Sequence, residues 1–196
     1  VKPDSILVRL MYGDRVVEEK TVTPDENGEW HYIFNAPKYD EAGNIIEYTV
    51  EEVPLYNFIP TYTNEDGNLN ILNTYIPPVS IDPPLIQKVV DGDPGAPSTK
   101  FEFLLKGSQG APMPVGSNGN TKILTLDGSG ELEIGKIIFD RAGTFTYTIS
   151  ELNGGIQGWT YDTATYTMTV TVVVENGKLV PHSILTKDGQ SSSEII

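Results

Sequence analysis

The chain has 196 residues, a formal net charge of −14 and no cysteine. An acidic excess shared by both halves argues against nucleic acid and anionic membrane surfaces as partners, and the missing cysteines exclude disulfides, thiol catalysis and cysteine-ligated metals. No apolar run approaches the roughly 20 residues of a membrane span, no signal peptide is visible, and the length suits one large or two small cores.

Read in chain order, the sequence is a series of short runs of Val, Ile, Thr, Tyr and Phe separated by Gly, Asn, Asp and Pro. The first half offers strands at 5–11, 15–22, 29–34, 45–52 and 69–75. The second offers 85–90, 100–106, 122–126, 131–138, 143–151, 164–174 and 179–186. Turn signals such as Glu65-Asp66-Gly67, Glu175-Asn176-Gly177 and Lys187-Asp188-Gly189 punctuate them. No segment carries a 3.6-residue apolar period. The pattern predicts an all-β chain of two tandem Ig-like β-sandwiches, residues 1–77 and 78–196. Between them, Ile76-Pro77-Pro78-Val79-Ser80-Ile81-Asp82-Pro83-Pro84 reads as a short, stiff, extended linker.

Two strands carry a glutamate on their apolar face. Ile46, Tyr48 and Val50 share a face with Glu52; Phe145, Tyr147 and Ile149 share one with Glu151. A carboxylate drawn into apolar surroundings without a partner is costly and tends to stay protonated. The same Tyr-Thr-(Val/Ile)-x-Glu pattern in each half points to one chemistry used twice. Asn73 shares a face with Leu69 and Ile71, and Lys88 lies between Ile86 and Val90, so both are expected to point inward. Read alone, such an asparagine can serve a backbone and such a lysine can snorkel to the rim.

The first half resembles the CnaB-type domain of Gram-positive surface adhesins and pilins. The likeness rests on the Lys2-Pro3-Asp4-Ser5-Ile6 opening, Ala36-Pro37-Lys38-Tyr39-Asp40, Ile46 to Glu52, and Leu72-Asn73-Thr74-Tyr75. The second half resembles the isopeptide domain of the streptococcal T-antigen type of major pilin. Its matching pieces are Gln87-Lys88-Val89-Val90-Asp91-Gly92-Asp93-Pro94, Pro112-Met113-Pro114, Gly143 to Glu151 and Gly158-Trp159-Thr160-Tyr161-Asp162.

The resemblance implies an autocatalytic amide cross-link between a lysine on the first strand and an asparagine on the last, with a buried acid moving the protons. Glu52 and Glu151 match the acids, Asn73 the attacked amide and Lys88 the nucleophile. Such a reaction needs a neutral amine and a protonated acid, which burial favours, and fixed geometry in place of a cofactor. Held geometry contributes up to roughly 7–11 kcal/mol in good intramolecular cases. The first domain is expected to lack the family's lysine strand and the second its asparagine strand, as in an excerpt of a longer, mature protein.

The implied function is a structural stalk module of a cell-wall-anchored adhesin or pilus. Its partners would be neighbouring domains of the same fibre, and its self-reaction would not make it an enzyme. Two alternatives stand beside this: an adhesin module gripping a host protein or glycan through the 107–120 loop or Trp159, and a split domain ligating to a strand from another polypeptide. No cofactor is expected. No metal site is expected either, because His31 and His182 read as isolated and neither Asp91-Gly92-Asp93 nor the 64–68 turn has EF-hand spacing.

Overall fold

The computed structural model describes residues 2–92 and 99–195, all of them strand, turn or irregular, with no helix among them. Of the motifs quoted above, Asp93 and Pro94 lie outside the described residues. The chain divides into two compact units, the first ending at Ile76 and the second opening at Pro77.

In the first unit, β1 (Ile6–Tyr12) and β2 (Arg15–Val22) form a hairpin, and β3 (Thr49–Glu52) adds to the other side of β1 in the order β2-β1-β3. Ile6, Val8 and Leu10 alternate onto the buried face of β1 and meet Val22 and Val50. Trp30, Tyr32, Phe34, Tyr48, Leu69 and Ile71 complete this core from the side as half-buried residues. A separate hairpin, β4 (Phe58–Glu65) with β5 (Asn68–Tyr75), turns at Asp66-Gly67 with φ of 52° and 80°. Two successive positive φ values are what a type I′ turn needs, which makes Asp-Gly suited to this place.

The structure corrects three strand expectations here. Residues 29–34 form no ladder among the described residues, apart from a bridge between Pro24 and Trp30. The segment is nonetheless extended in its burial: Trp30, Tyr32, Phe34 and Ala36 are half-buried, while His31, Ile33, Asn35 and Pro37 are exposed. The strand read at 45–52 shortens to β3. Finally, β4 was not expected at all. Pro60 and the polar threonines mask its alternation, yet Pro60 opposes Asn73 where the peptide of each points away from the other strand, so the ladder loses no hydrogen bond.

The second unit centres on a six-stranded sheet. In chain order its strands are β8 (Lys100–Gly107), β9 (Thr121–Asp127), β12 (Gly143–Glu151), β13 (Thr165–Glu175), β14 (Lys178–Lys187) and β15 (Gln190–Ser192). Their spatial order is β15-β14-β13-β12-β8-β9. Phe101, Phe103, Leu105, Phe145, Tyr147, Ile149, Met168 and Val170 line its buried face. The other face pairs hydroxyls across strands, as in Thr144–Thr171, Thr146–Thr169 and Thr148–Thr167. Two small ladders supply further strands: β6 (Val79–Ile81) with β11 (Ile137–Phe139), and β7 (Ile86–Lys88) with β10 (Gly130–Leu132).

The expected linker is thus partly a strand of the second unit. Val79-Ser80-Ile81 is flanked by proline pairs but keeps its own N–H groups, which is enough for a three-residue ladder. The strand read at 131–138 splits into β10 and β11. The 107–120 loop, expected to be exposed, is anchored in part: Tyr147 Oη donates to Pro112 O at 2.7 Å, and Pro114 is buried.

Candidate functional site

In the second unit, β7 and β12 bring Lys88 and Glu151 together. The Nζ of Lys88 lies 2.7 Å from Oε1 of Glu151, with side-chain exposures of 13% and 3%. This is a close charge contact more than an aligned hydrogen bond, since Oε1 has no well-directed donor among the described residues. The other oxygen, Oε2, accepts the backbone N–H of Asp162 at 2.8 Å. Beneath the lysine, Nζ sits 4.5 Å from the centroid of the Phe101 ring, on which Trp159 and Tyr161 pack edge-on at 5.4 and 6.2 Å. The amine thus lies between a carboxylate and the face of an aromatic ring, each of which attracts a cation.

A cavity of about 220 Å³ opens beside this pair, lined by Lys88, Phe103, Glu151, Asp162, Tyr166 and Ile195 among others. Ile195 pairs with Ile86 as a parallel bridge, and Gln87 N donates to Ile195 O at 2.8 Å. This isolated bridge sets Ile195 beside β7 in parallel orientation, on the wall of the cavity that Lys88 also lines.

In the first unit, Glu52 ends β3 opposite Val8 and is 2% exposed. Asn73 on β5 donates from Nδ2 to Glu52 Oε2 at 2.8 Å. Glu52 Oε1 and Asn73 Oδ1 are buried with no hydrogen-bond partner among the described residues. Burial pushes the Glu52 carboxyl above its ordinary pKa, and the hydrogen bond from Asn73 opposes this only in part. None of the ion pairs among the described residues includes Glu52. Lys20 instead bonds Ile33 O, and Lys38 lies over Tyr39.

The structure thus brings Lys88 to Glu151 and Asn73 to Glu52. It also shows contacts that the sequence reading missed. Tyr62 Oη accepts the backbone N–H of Glu52 at 3.0 Å, and Phe101 lies under Lys88. The first was hidden with β4; the second joins the consecutive strands β7 and β8, and depends on how they pack and not on any local pattern. A groove of about 1090 Å³ also crosses the first unit, between residues 30–38 on one side and Asn64 and residues 67–70 on the other, with Leu10, Tyr48 and Val50 lining it too. The histidines are not isolated as expected. His31 Nε2 is 3.1 Å from Glu29, His182 Nε2 is 3.8 Å from Glu175, and Asp25, Glu29 and His31 form an exposed trio. Trp159 packs into the aromatic cluster below Lys88 and does not stand out as a platform.

Residues 84–193 match the model of the Spy0128-like isopeptide containing domain, and residues 1–74 match that of the Cna protein B-type domain. The chain belongs to the Spy0128-like isopeptide-containing family, with a Cna B-type domain ahead of it. A single B repeat unit of the collagen binding surface protein Cna of Staphylococcus aureus is 25% identical over 93% of this chain and 87% of its own length, at a TM-score of 0.33. The two-repeat B1B2 structure of the same protein is 24% identical over 93% of this chain and 44% of its own, at 0.34. At these TM-scores the assignment rests on the family matches and on the strands themselves. No curated protein matches the chain. Both families are domains of Gram-positive surface adhesins and pilins, and this isopeptide-family chain is a structural module of that kind at the extracellular surface.

Proposed function

We propose that the chain is a stalk module of a cell-wall-anchored adhesin or pilus, each unit locked by a lysine–asparagine amide that it forms once on itself. The observation that carries this reading is the buried Lys88–Glu151 pair at 2.7 Å. At that distance one proton transfer from Nζ to the carboxylate yields both a neutral amine and a protonated acid. The amine then attacks a side-chain amide carbon, the acid protonates the departing nitrogen, and ammonia leaves. The cavity beside the pair, which Ile195 also lines, is where that amide would lie.

In the first unit the acid and amide stand ready, and the amine would arrive on an extended strand. Its place is the groove beside β5, because the peptide groups of Leu69, Ile71 and Asn73 turn away from β4, and of these the Leu69 carbonyl already accepts from Tyr32 Oη. A strand there would find apolar partners in Leu10, Val50 and Trp30, with Asn73 further along the same edge.

A bond between first and last strands keeps a unit from extending when force enters at those strands. It would also restrict the unfolded chain across a long loop, as disulfides do, without oxidising conditions. Because the reaction happens once per unit, the module is not an enzyme in the turnover sense.

Intact-mass measurement on the natural protein that carries these residues tests the reading. One ammonia should be missing per unit, and Glu52→Ala and Glu151→Ala should each restore one. Full sequence mass in the folded wild type would defeat the proposal. A gel-stable adduct between chains, in place of an internal loss, would assign the amine strand to a second polypeptide.

A further inference from the structure

Tyr62 stands on the face of the β4–β5 hairpin that carries Asn73, since Pro60 opposes Asn73 and Tyr62 opposes Ile71. Its hydroxyl oxygen accepts the backbone N–H of Glu52 at 3.0 Å. That N–H belongs to the free edge of β3. Val53 N donates to Leu7 O, so in the alternating antiparallel pattern the peptide of Glu52 turns away from β1.

The hairpin is a sheet of its own, with no backbone ladder to β3 among the described residues. Two side-chain hydrogen bonds join the strand that carries the acid to the hairpin that carries the amide, and both end on Glu52. Asn73 reaches its carboxyl from β5, and Tyr62 reaches its backbone from β4. Leu69 and Ile71 in the core, and Tyr32 Oη on Leu69 O, hold the hairpin nearer its turn; at the Glu52 end, loss of either bond leaves the other to set the angle of the Asn73 amide. With both, the Asn73 amide is held over the carboxyl in a single orientation.

We infer that Tyr62 is a positioning residue for cross-linking in the first unit, its hydroxyl clamping the amide-bearing hairpin to the acid-bearing strand. This rests on the reading that Asn73 is the acyl donor. In the step it serves, the lysine nitrogen bonds to the amide carbon of Asn73 and the bond from that carbon to Nδ2 breaks. Glu52 carries the proton from the amine to the leaving nitrogen, and ammonia departs. Tyr62 touches none of the reacting atoms in the structure. Its effect comes through placement, and a misplacement near 1 Å costs about 10²-fold in rate.

The test follows the natural protein through a cell-free translation time course, with peptide-mapped mass spectrometry at Asn73. Wild type is compared with Tyr62→Phe and with Thr61→Ala. Thr61 points to the other face of β4, and its loss removes a hydrogen bond to Leu72 O inside the hairpin without touching Glu52. Tyr62→Phe should slow ammonia loss at Asn73 by about 10- to 100-fold. Thr61→Ala should not, and the pH midpoint of the rate should stay where Glu52 sets it. Wild-type kinetics in Tyr62→Phe, or equal slowing in both variants, would overturn the inference while leaving the cross-link reading intact. No ammonia loss at Asn73 in wild type would defeat that reading and the inference with it. Should Tyr62→Phe fail to fold, hydrogen exchange in wild type decides: the Glu52 amide should be protected, and fast exchange there would overturn the clamp.

Discussion

Lys88 and Glu151 meet at 2.7 Å inside the second unit, whereas Glu52, at the matching place in the first, faces the neutral amide of Asn73 and forms no ion pair among the described residues. The same strand pattern therefore produces two electrostatic states. One glutamate is held as half of an ion pair over an aromatic floor. The other is buried against a neutral amide, and burial drives it toward its protonated form.

The second state makes the first unit pH-sensitive. The folded pKa of Glu52 is raised, so between its ordinary value and the raised one the folded chain binds more protons than the unfolded chain. Stability is then greatest below the ordinary carboxylate pKa, falls as pH climbs through the window, and levels off above the raised value. Each unit of pKa elevation corresponds to about 1.4 kcal/mol of that fall. Glu52→Gln should flatten the dependence and leave the unit more stable at neutral pH. Amide exchange along the β1–β3 ladder, measured across this range, checks both the slope and its loss.

The ion pair predicts an asymmetry between single and double substitutions in the 196-residue chain. Lys88→Met leaves a carboxylate buried with only the Asp162 amide as partner, a loss of about 3–5 kcal/mol. Lys88→Met with Glu151→Leu removes both charges and should cost far less, or even stabilise. Urea unfolding of the single and double variants measures the difference. Equal losses in the two would mean that the charges are solvated and the pair is not buried as described.

The inward glutamates were legible because a strand has a period of two, and Tyr48-Thr49-Val50 and Tyr147-Thr148-Ile149 leave no doubt which face is apolar. The turns were legible for a similar reason, since Asp66-Gly67, Asn176-Gly177 and Asp188-Gly189 all adopt the paired positive φ that such dipeptides permit. Residues 58–65 were not, because Pro60 argues locally against a strand and only the pairing across the hairpin shows why it is tolerated. With β4 unseen, Tyr62 had no face and no partner. Phe101 is a second case: nothing near it in sequence says that Lys88 will lie on its ring, because that contact depends on how β7 packs over β8. Residues 29–34 show the opposite failure. Their alternation is real and is reflected in burial, but a strand also needs a neighbour on which to place its hydrogen bonds.

The floor beneath Lys88 gives the last prediction. Tyr161 is buried and packs edge-on to Phe101, yet its hydroxyl has no hydrogen-bond partner among the described residues. A Cβ added at Gly154 would meet that hydroxyl at 2.8 Å, while the next ring atom, Cζ, would lie at an ordinary 3.4 Å. Gly154→Ala should therefore push the ring against Phe101 and destabilise the second unit by about 1–3 kcal/mol, the usual range for overpacking. Tyr161→Phe alone should be close to neutral or stabilising, because it removes a buried polar group that bonds to nothing. The double variant should recover most of the alanine's cost, since the atom that clashes is gone. Urea unfolding of the four proteins gives a double-mutant cycle, and the coupling should be large and favourable for the pair. Strict additivity would mean that the Tyr161 hydroxyl does not point at Gly154, and that the aromatic floor under Lys88 is packed differently.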